Sequence, residues 1–246
     1  MKFLQPVEKK LRILRNVLRR FGQNRKLKTR WCAVSGKAFI KNNGSLSGAD
    51  RCKIVYINLE HRFDRKRHIE SEFRRLCLLG FERFCAVSDQ NGALGCAFSH
   101  AQVLKDNTLA KEQLLMICED DCQFIVDRPK IDELIEEFFQ DSRLDILCLA
   151  YNAENGIKIS QSLMVTSNTA TMSCYVVKAH SLGNVLASVE SSIAHLSAGN
   201  PSHLFAIDQT WKQLQQTQLF AIPSERAAIQ LPSFSDIENE YSNYGV

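Results

Sequence analysis

Short apolar runs alternating with amphipathic, helix-length segments constrain this chain more than any other feature. Residues 52–59 are rich in Ile and Val, as a strand buried on both faces requires. Asp64 then opens a segment in which Ile69, Phe73 and Leu76 recur at helical spacing, and Gly80 supplies a stop. Further strand-like runs cover residues 84–87, 114–118, 146–150, 172–177 and 219–222. Helical patterns fall between them. Leu94, Phe98, Ala101 and Leu104 mark one, and Ile131, Leu134, Ile135, Phe138 and Phe139 mark another behind Pro129. Leu182, Val185, Leu186, Val189 and Ile193 mark a third, and Ile207, Trp211 and Leu214 a fourth. Strands alternating with helices predict an α/β fold, a mainly parallel sheet flanked by helices. The longest apolar run, 146–151, is too short to span a bilayer. Residues 152–167 read as a compact loop.

Charge divides the chain. Residues 1–30 hold eleven Lys/Arg against one Glu, a net +10, while residues 31–246 hold 20 bases and 26 acids, a net −6. In the basic part Leu4, Val7, Leu11, Leu14, Leu18 and Phe21 form one apolar stripe. Lys9, Lys10, Arg12, Arg15, Arg19 and Arg20 cover much of the remaining surface. Such a helix suits an anionic membrane surface, or else it docks on the acidic body of its own chain. Nucleic acid is the least suited partner, because the arm offers few aromatics to stack on bases. Residues 31–50 contain Gly36, Asn42, Asn43, Gly44 and Gly48 and read as a linker, leaving 51–246 as a single domain. The first 31 residues are too charged for a signal peptide. The expected location is therefore cytoplasmic, peripheral on the membrane face where the arm binds lipid. Nine cysteines show neither a CxxC pair nor a Cys/His group at zinc spacing. Most sit in apolar runs and are expected to be reduced, buried thiols.

The strand-like run 114–118 ends at Glu119-Asp120-Asp121. The carboxyl end of a strand is where open α/β sheets bind ligands. Three consecutive carboxylates there repel one another, and a hard divalent ion, Mn²⁺ or Mg²⁺, relieves that repulsion through oxygen ligands. Such an ion usually completes its shell with phosphate oxygens and water. The plain alternative is a solvated acidic turn.

The segments around the triplet add to this. IVYINLEHRFDRKRHIESEF joins a strand to a helix through Arg62, Asp64 and Arg65. GALGCAFSHAQVLK puts Ser99 and His100 on a helix just before LLMICEDD, and AIDQTWKQL, AIPSERAAIQ and FSDIEN follow. In this order, over residues 53–239, they resemble glycosyltransferase family 25. That family includes bacterial lipooligosaccharide galactosyltransferases and the collagen galactosyltransferases.

The resemblance implies a GT-A-type, Rossmann-like catalytic domain, a UDP-sugar donor with galactose as the leading sugar, a divalent metal, and inversion at the anomeric carbon. It also implies a glycan or lipid-linked glycan acceptor of the kind met in lipopolysaccharide biosynthesis. Glu119, Asp120 and Asp121 match the family's DxD-type motif, with Asp121 as metal ligand and Glu119 or Asp120 as a second contact. Arg62 and Arg65 meet the donor diphosphate or form helix-start salt bridges. Asn58 reads the nucleotide or caps its strand. Ser99 and His100 belong to the donor site. An inverting transfer needs a base for the acceptor hydroxyl: Asp208 is the first candidate and Asp236 the next, each alternatively a metal ligand. Two other readings compete. A nucleotidyltransferase would want a Gly-rich phosphate loop after the first strand, and residues 54–65 contain no glycine. The other is a non-catalytic, membrane-attached nucleotide-sugar-binding protein.

Overall fold

A computed structural model describes residues 5–34, 46, 48–110, 113–235 and 240–242. The chain opens with α1 (Gln5–Ala33), then β1 (Cys52–Asn58), α2 (Phe63–Arg75), β2 (Glu82–Cys85), α3 (Gly92–Asp106) and β3 (Leu114–Glu119). Next come β4 (Cys122–Phe124), α4 (Arg128–Gln140), β5 (Ile146–Cys148), β6 (Asn152–Ala153), β7 (Ile157–Lys158), β8 (Leu163–Thr166), β9 (Thr169–Ala170) and β10 (Cys174–Lys178). After these follow α5 (Leu182–Ser197), α6 (Ser202–Phe205), α7 (Ile207–Leu214), β11 (Phe220–Pro223) and β12 (Ala228–Gln230).

One eight-stranded sheet runs in the order β2-β1-β3-β10-β5-β11-β8-β7. β1 pairs parallel with β2 and β3, and β5 with β11, while β10 and β8 meet their neighbours antiparallel. Only β10 and β8 therefore run against the common direction. The molecule has the expected architecture, a mainly parallel α/β sheet between helical layers. The two reversed strands are an addition, because an apolar run carries no mark of its direction. Residues 152–167 hold β6, β7 and β8 in place of a plain loop, and β8 hydrogen-bonds to β11 at the far side of the sheet.

Side chains alternate across a strand, and this builds two cores. Ile54 and Tyr56 of β1 and Met116 and Cys118 of β3 face one side, where Ile69 and Phe73 of α2 and Ile135 and Phe138 of α4 meet them. Val55 and Ile57, with Leu115 and Ile117, face the other, packing with Ala97 and Ala101 of α3, Val189 of α5 and Trp211 of α7. Asp127 caps α4, its side chain accepting from Lys130 N at 3.1 Å, with Pro129 in the first turn as the sequence predicts. All nine cysteines are free thiols. Only Cys118, Cys122, Cys148 and Cys174 are fully buried, and Cys32, Cys77 and Cys85 are exposed, because the last two lie at element ends and Cys32 on a helix surface.

The basic arm is a helix that runs past residue 30 into the stretch expected as linker. The reason is packing. Leu27 is buried, Trp31 lies against the core, and the Arg143 guanidinium sits 3.6 Å from the Trp31 ring centroid. Arg30 donates to the carbonyls of Gln215 and Gln218 at 2.8 and 3.2 Å. Leu4 lies outside the described residues, and only the backbone of Val7 and Leu11 is described. No described helix is long and apolar enough to cross a membrane. Leu27→Ala should lower unfolding free energy by about 2–4 kcal/mol within a single denaturant transition. A two-step transition, with the helix melting first, would show that α1 is not part of the cooperative body.

Candidate active site at the ends of strands 1 and 3

From β1 the chain steps to β2 on one side and to β3 on the other. Such a reversal opens a crevice beyond the strand ends, where α/β sheets bind ligands. Asn58 ends β1 and Glu119 ends β3, and Asp120 and Asp121 make the turn into β4. β10 runs antiparallel to β3, so its beginning joins the same edge, and Glu119 N donates to the Ser173 carbonyl at 2.8 Å.

Asn58 ties the two strand ends together. Its Nδ2 donates to Asp120 Oδ2 at 2.7 Å and to the Arg62 carbonyl at 3.0 Å, while its Oδ1 accepts from Arg83 Nε at 2.9 Å. Arg65, in the first turn of α2, sets Nη1 3.1 Å from Asp120 Oδ1 and 3.0 Å from Asp121 Oδ2. Arg62 forks onto Asp64 at 3.1 and 3.0 Å, which holds that carboxyl well below the usual range. Glu119 turns to the opposite side of the sheet. Its Oε1 lies 3.3 Å from His100 Nε2 and 3.6 Å from Cys96 Sγ, and His100 Nδ1 lies 3.0 Å from the Tyr175 hydroxyl.

Ser99 works at one remove. Its hydroxyl accepts from Val87 N at 2.8 Å and donates to the Gly95 carbonyl at 2.8 Å. A Cβ at Gly95 would stand 2.6 Å from the Val87 carbonyl, so only glycine lets α3 approach this loop. The Gly95-Cys96…Ser99-His100 block thus pins the segment after β2 on one turn and faces Glu119 with the next. Asp208, at the start of α7, accepts from Thr171 N at 3.5 Å and Gln209 Nε2 at 3.1 Å. Asp236 lies outside the described residues.

The electrostatics are uneven. Burial pushes Asp121 up to about 8, with Glu119 and Asp120 adding to the effect and Arg65 opposing it. Asp120 is also raised by burial, although Arg65 and Asn58 favour its ionised form. Burial raises Asp208 as well, and the charge of Glu119 adds to it. Burial would raise Glu119 too, but the His100 and Cys96 hydrogen bonds and the Arg65 charge hold it below its ordinary value. Asp121 Oδ2 meets Arg65 and, at 3.4 Å, Gln230 Nε2, whereas the buried Asp121 Oδ1 has no hydrogen-bond partner among the described residues. A buried carboxylate oxygen left over after its neighbours are counted is costly. Oxygen donors at Asp120 and Asp121 with one such atom suit a hard divalent cation.

Four participants were not singled out in the sequence: Arg83, Cys96, Tyr175 and Gln230. Cys96 stands four residues before His100, a helical spacing that puts both on one face. Tyr175 and Gln230 arrive through β10 and β12, and nothing local marks them.

No protein-family model matches the sequence, and no curated protein does. Among solved structures the chain is similar to mannose-1-phosphate geranyltransferase from Thermus thermophilus, at 10% identity and a TM-score of 0.39, over 70% of this chain and 73% of that one. It is similar to a glycosyltransferase involved in glycosylation of the major capsid of PBCV-1, at 8% identity and a TM-score of 0.37, over 76% and 96%. GalNAc-T7 with UDP, GalNAc and Mn²⁺ gives 7% identity and a TM-score of 0.40, over 76% and 46%. Likeness this distant establishes neither a shared family nor a shared activity.

A pH signature follows from Asp121. The unfolded carboxyl ionises near 3.8, whereas the folded one keeps its proton to about 8. Across that window the native state binds more protons, so this group lowers stability as pH rises. In EDTA, Asp121→Asn should gain on wild type between pH 5 and pH 8, by about 1 kcal/mol or more. Mn²⁺ should narrow the gap at pH 8. Melting curves at the two pH values check this, and a gap independent of pH would contradict the assignment.

Proposed function

We propose that this chain is a divalent-metal-dependent, inverting glycosyltransferase of the GT-A type, akin to family 25, that uses a UDP-sugar, with galactose first. The observation that carries this reading is the partnerless Asp121 Oδ1 within an acidic turn at the sheet's switch point. A cavity of about 460 Å³ opens at the ends of β1 and β2, lined by Leu59, His61, Phe63 and Ala86 among others. Phe63 is 66% exposed and offers a ring for a nucleobase. The cavity, at the ends of β1 and β2, and the acidic turn, at the end of β3, lie along one edge of the sheet, because the three strands are parallel neighbours.

Asp121, with Asp120 or Glu119, would hold Mn²⁺ or Mg²⁺. That ion, when bound, offsets charge on the leaving diphosphate. Asn58 holds Asp120 in place, and Arg65 balances the turn. Arg62, beside the cavity, keeps the entry to α2 ordered through Asp64. Ser99 fixes the loop that carries Ala86 and Ser88 into the cavity wall. Asp208 takes the proton of the acceptor hydroxyl. Burial raises this carboxyl, which makes it a stronger base than an exposed aspartate. The acceptor oxygen then bonds to the anomeric carbon from the face opposite the nucleotide, and the carbon–oxygen bond to UDP breaks.

Asp121→Ala should bring metal-stimulated transfer from UDP-galactose to background while the protein still folds. Asp208→Asn should cost about 10²–10⁴ in turnover with donor affinity retained. Unchanged turnover in Asp121→Ala would remove this mechanism, and product formation from UTP and a sugar phosphate alone would favour a nucleotidyltransferase.

We also propose that the enzyme sits peripherally on an anionic, cytoplasmic membrane face, near a lipid-linked glycan acceptor. Ile13, Leu14, Val17, Leu18 and Phe21 are 54–73% exposed, on an arm of net +10 within residues 1–30. Apolar side chains and cations on one helix match an anionic bilayer surface. Leu18→Glu with Phe21→Glu should weaken binding to phosphatidylglycerol vesicles at least about tenfold without moving the melting temperature. Unaltered vesicle binding would refute the location.

A further inference from the structure

Glu119 takes part in a second constellation whose donor chemistry differs from that of the acidic turn. Cys96 and His100 lie four residues apart on α3 and meet Glu119 at the end of β3. One ligand atom from each lies within 4.8 Å of the other two, with Sγ to Oε1 at 3.6 Å and Nε2 to Oε1 at 3.3 Å. Four ligands around a tetrahedral zinc at 2.0–2.3 Å stand about 3.3–3.8 Å from one another. The spacing is already close to what such an ion needs.

We propose that Cys96, His100 and Glu119 form a binding site for a borderline-soft divalent cation, zinc first. The inference stands on this geometry and does not rest on the transferase reading. Three features carry it. The donor set of one thiol, one imidazole and one carboxylate suits zinc, whereas Mn²⁺ and Mg²⁺ favour oxygen. His100 is fully buried and its other ring nitrogen bonds the Tyr175 hydroxyl at 3.0 Å, with the two rings stacked. That is the outer partner which fixes the ring of a metal-binding histidine. Finally, the Glu119 side chain is 24% exposed, which leaves a route from solvent, and Asp208 adds negative charge that acts on Cys96 and Glu119. Three protein ligands leave one coordination position open. Binding displaces the thiol proton of Cys96 to solvent, leaves the ring proton of neutral His100 on Nδ1 towards the Tyr175 hydroxyl, and replaces the Cys96 and His100 hydrogen bonds to Glu119 with bonds to the ion.

The other compact group among the described residues, Cys118, Cys122 and Cys174, differs in access. It is fully buried, Cys118 and Cys174 are already in thiol contact at 3.5 Å, and all three belong to the apolar core. Because Glu119 borders the acidic turn, zinc at Cys96 would also withdraw this carboxylate from an ion at Asp121. Where the proposed ion at Asp121 also draws on Glu119, zinc and manganese would compete for that carboxylate.

Cobalt(II) is the probe, since its bond to a thiolate gives a charge-transfer band in the near ultraviolet. The full-length protein, reduced and freed of metal, should develop this band with one equivalent of Co²⁺ and lose it on adding Zn²⁺. Cys96→Ser should lose the band. Glu119→Gln, at a partly exposed position, should weaken Co²⁺ affinity at least about tenfold and serves as a second reading if Cys96→Ser fails to fold. No band in the wild type, a band that persists in folded Cys96→Ser, or an unchanged affinity in Glu119→Gln would each overturn the proposal.

Discussion

Crowded negative charge at the end of β3 is the constraint on which the rest of the site depends. Burying an ionised carboxylate without a partner is costly, and here three carboxyl groups follow one another, of which Asp121 keeps its proton to about 8. The backbone solves part of the problem. Residues of a strand alternate between faces, so Cys118 enters one core while Glu119 points towards α3 on the other side. The turn then carries Asp120 and Asp121 towards α2 and β12, where Arg65 and Gln230 wait. The acidic side chains are adjacent in sequence but divided between two sets of partners.

That division is incomplete, and the shortfall is local. Arg65 serves two carboxylates with one guanidinium nitrogen, and Asp121 keeps one oxygen without a partner. Several other buried amide and hydroxyl oxygens lack a hydrogen-bond partner among the described residues, but Asp121 Oδ1 is the one carboxylate oxygen of the set. Places where local rules fail inside an otherwise consistent structure are expected at functional sites. The cost of the turn is the counterpart of the cation affinity proposed for it, because the same uncompensated field that destabilises the protein would attract an ion.

The alternation of apolar runs gave the α/β class, and the helix patterns named the faces that pack: Ile131, Leu134, Ile135 and Phe138 are all buried in α4. The acidic triplet was visible because charge right after an apolar strand breaks the pattern. Strand direction was not visible, since β10 reads the same forwards and backwards as a buried run. Arg62 and Arg65 looked alike in the sequence, yet one pairs with Asp64 two residues on and the other crosses to β3. Only the approach of α2 to the strand end separates them. Likewise Cys96 and His100 have no zinc-type spacing with another cysteine or histidine. Their third partner comes from a different element, and only the packing of α3 against the sheet brings it near.

The basic arm illustrates the same limit from the other side. Its apolar stripe predicts a helix but is silent on which face meets what. Leu27 docks on the body, and Phe21 lies six residues earlier, about 120° away around a helix of 3.6 residues per turn. Docking through Leu27, Trp31 and Arg30 thus turns Leu14, Leu18 and Phe21 outward, and Arg19 reaches Glu154 at 2.6 Å on the inner side. One half of the helix orients the other. An outward apolar face held by a packed root differs from a flexible tether, because the body follows wherever that face settles. If it settles on a lipid surface, an acceptor confined to that surface meets the crevice at a raised effective concentration.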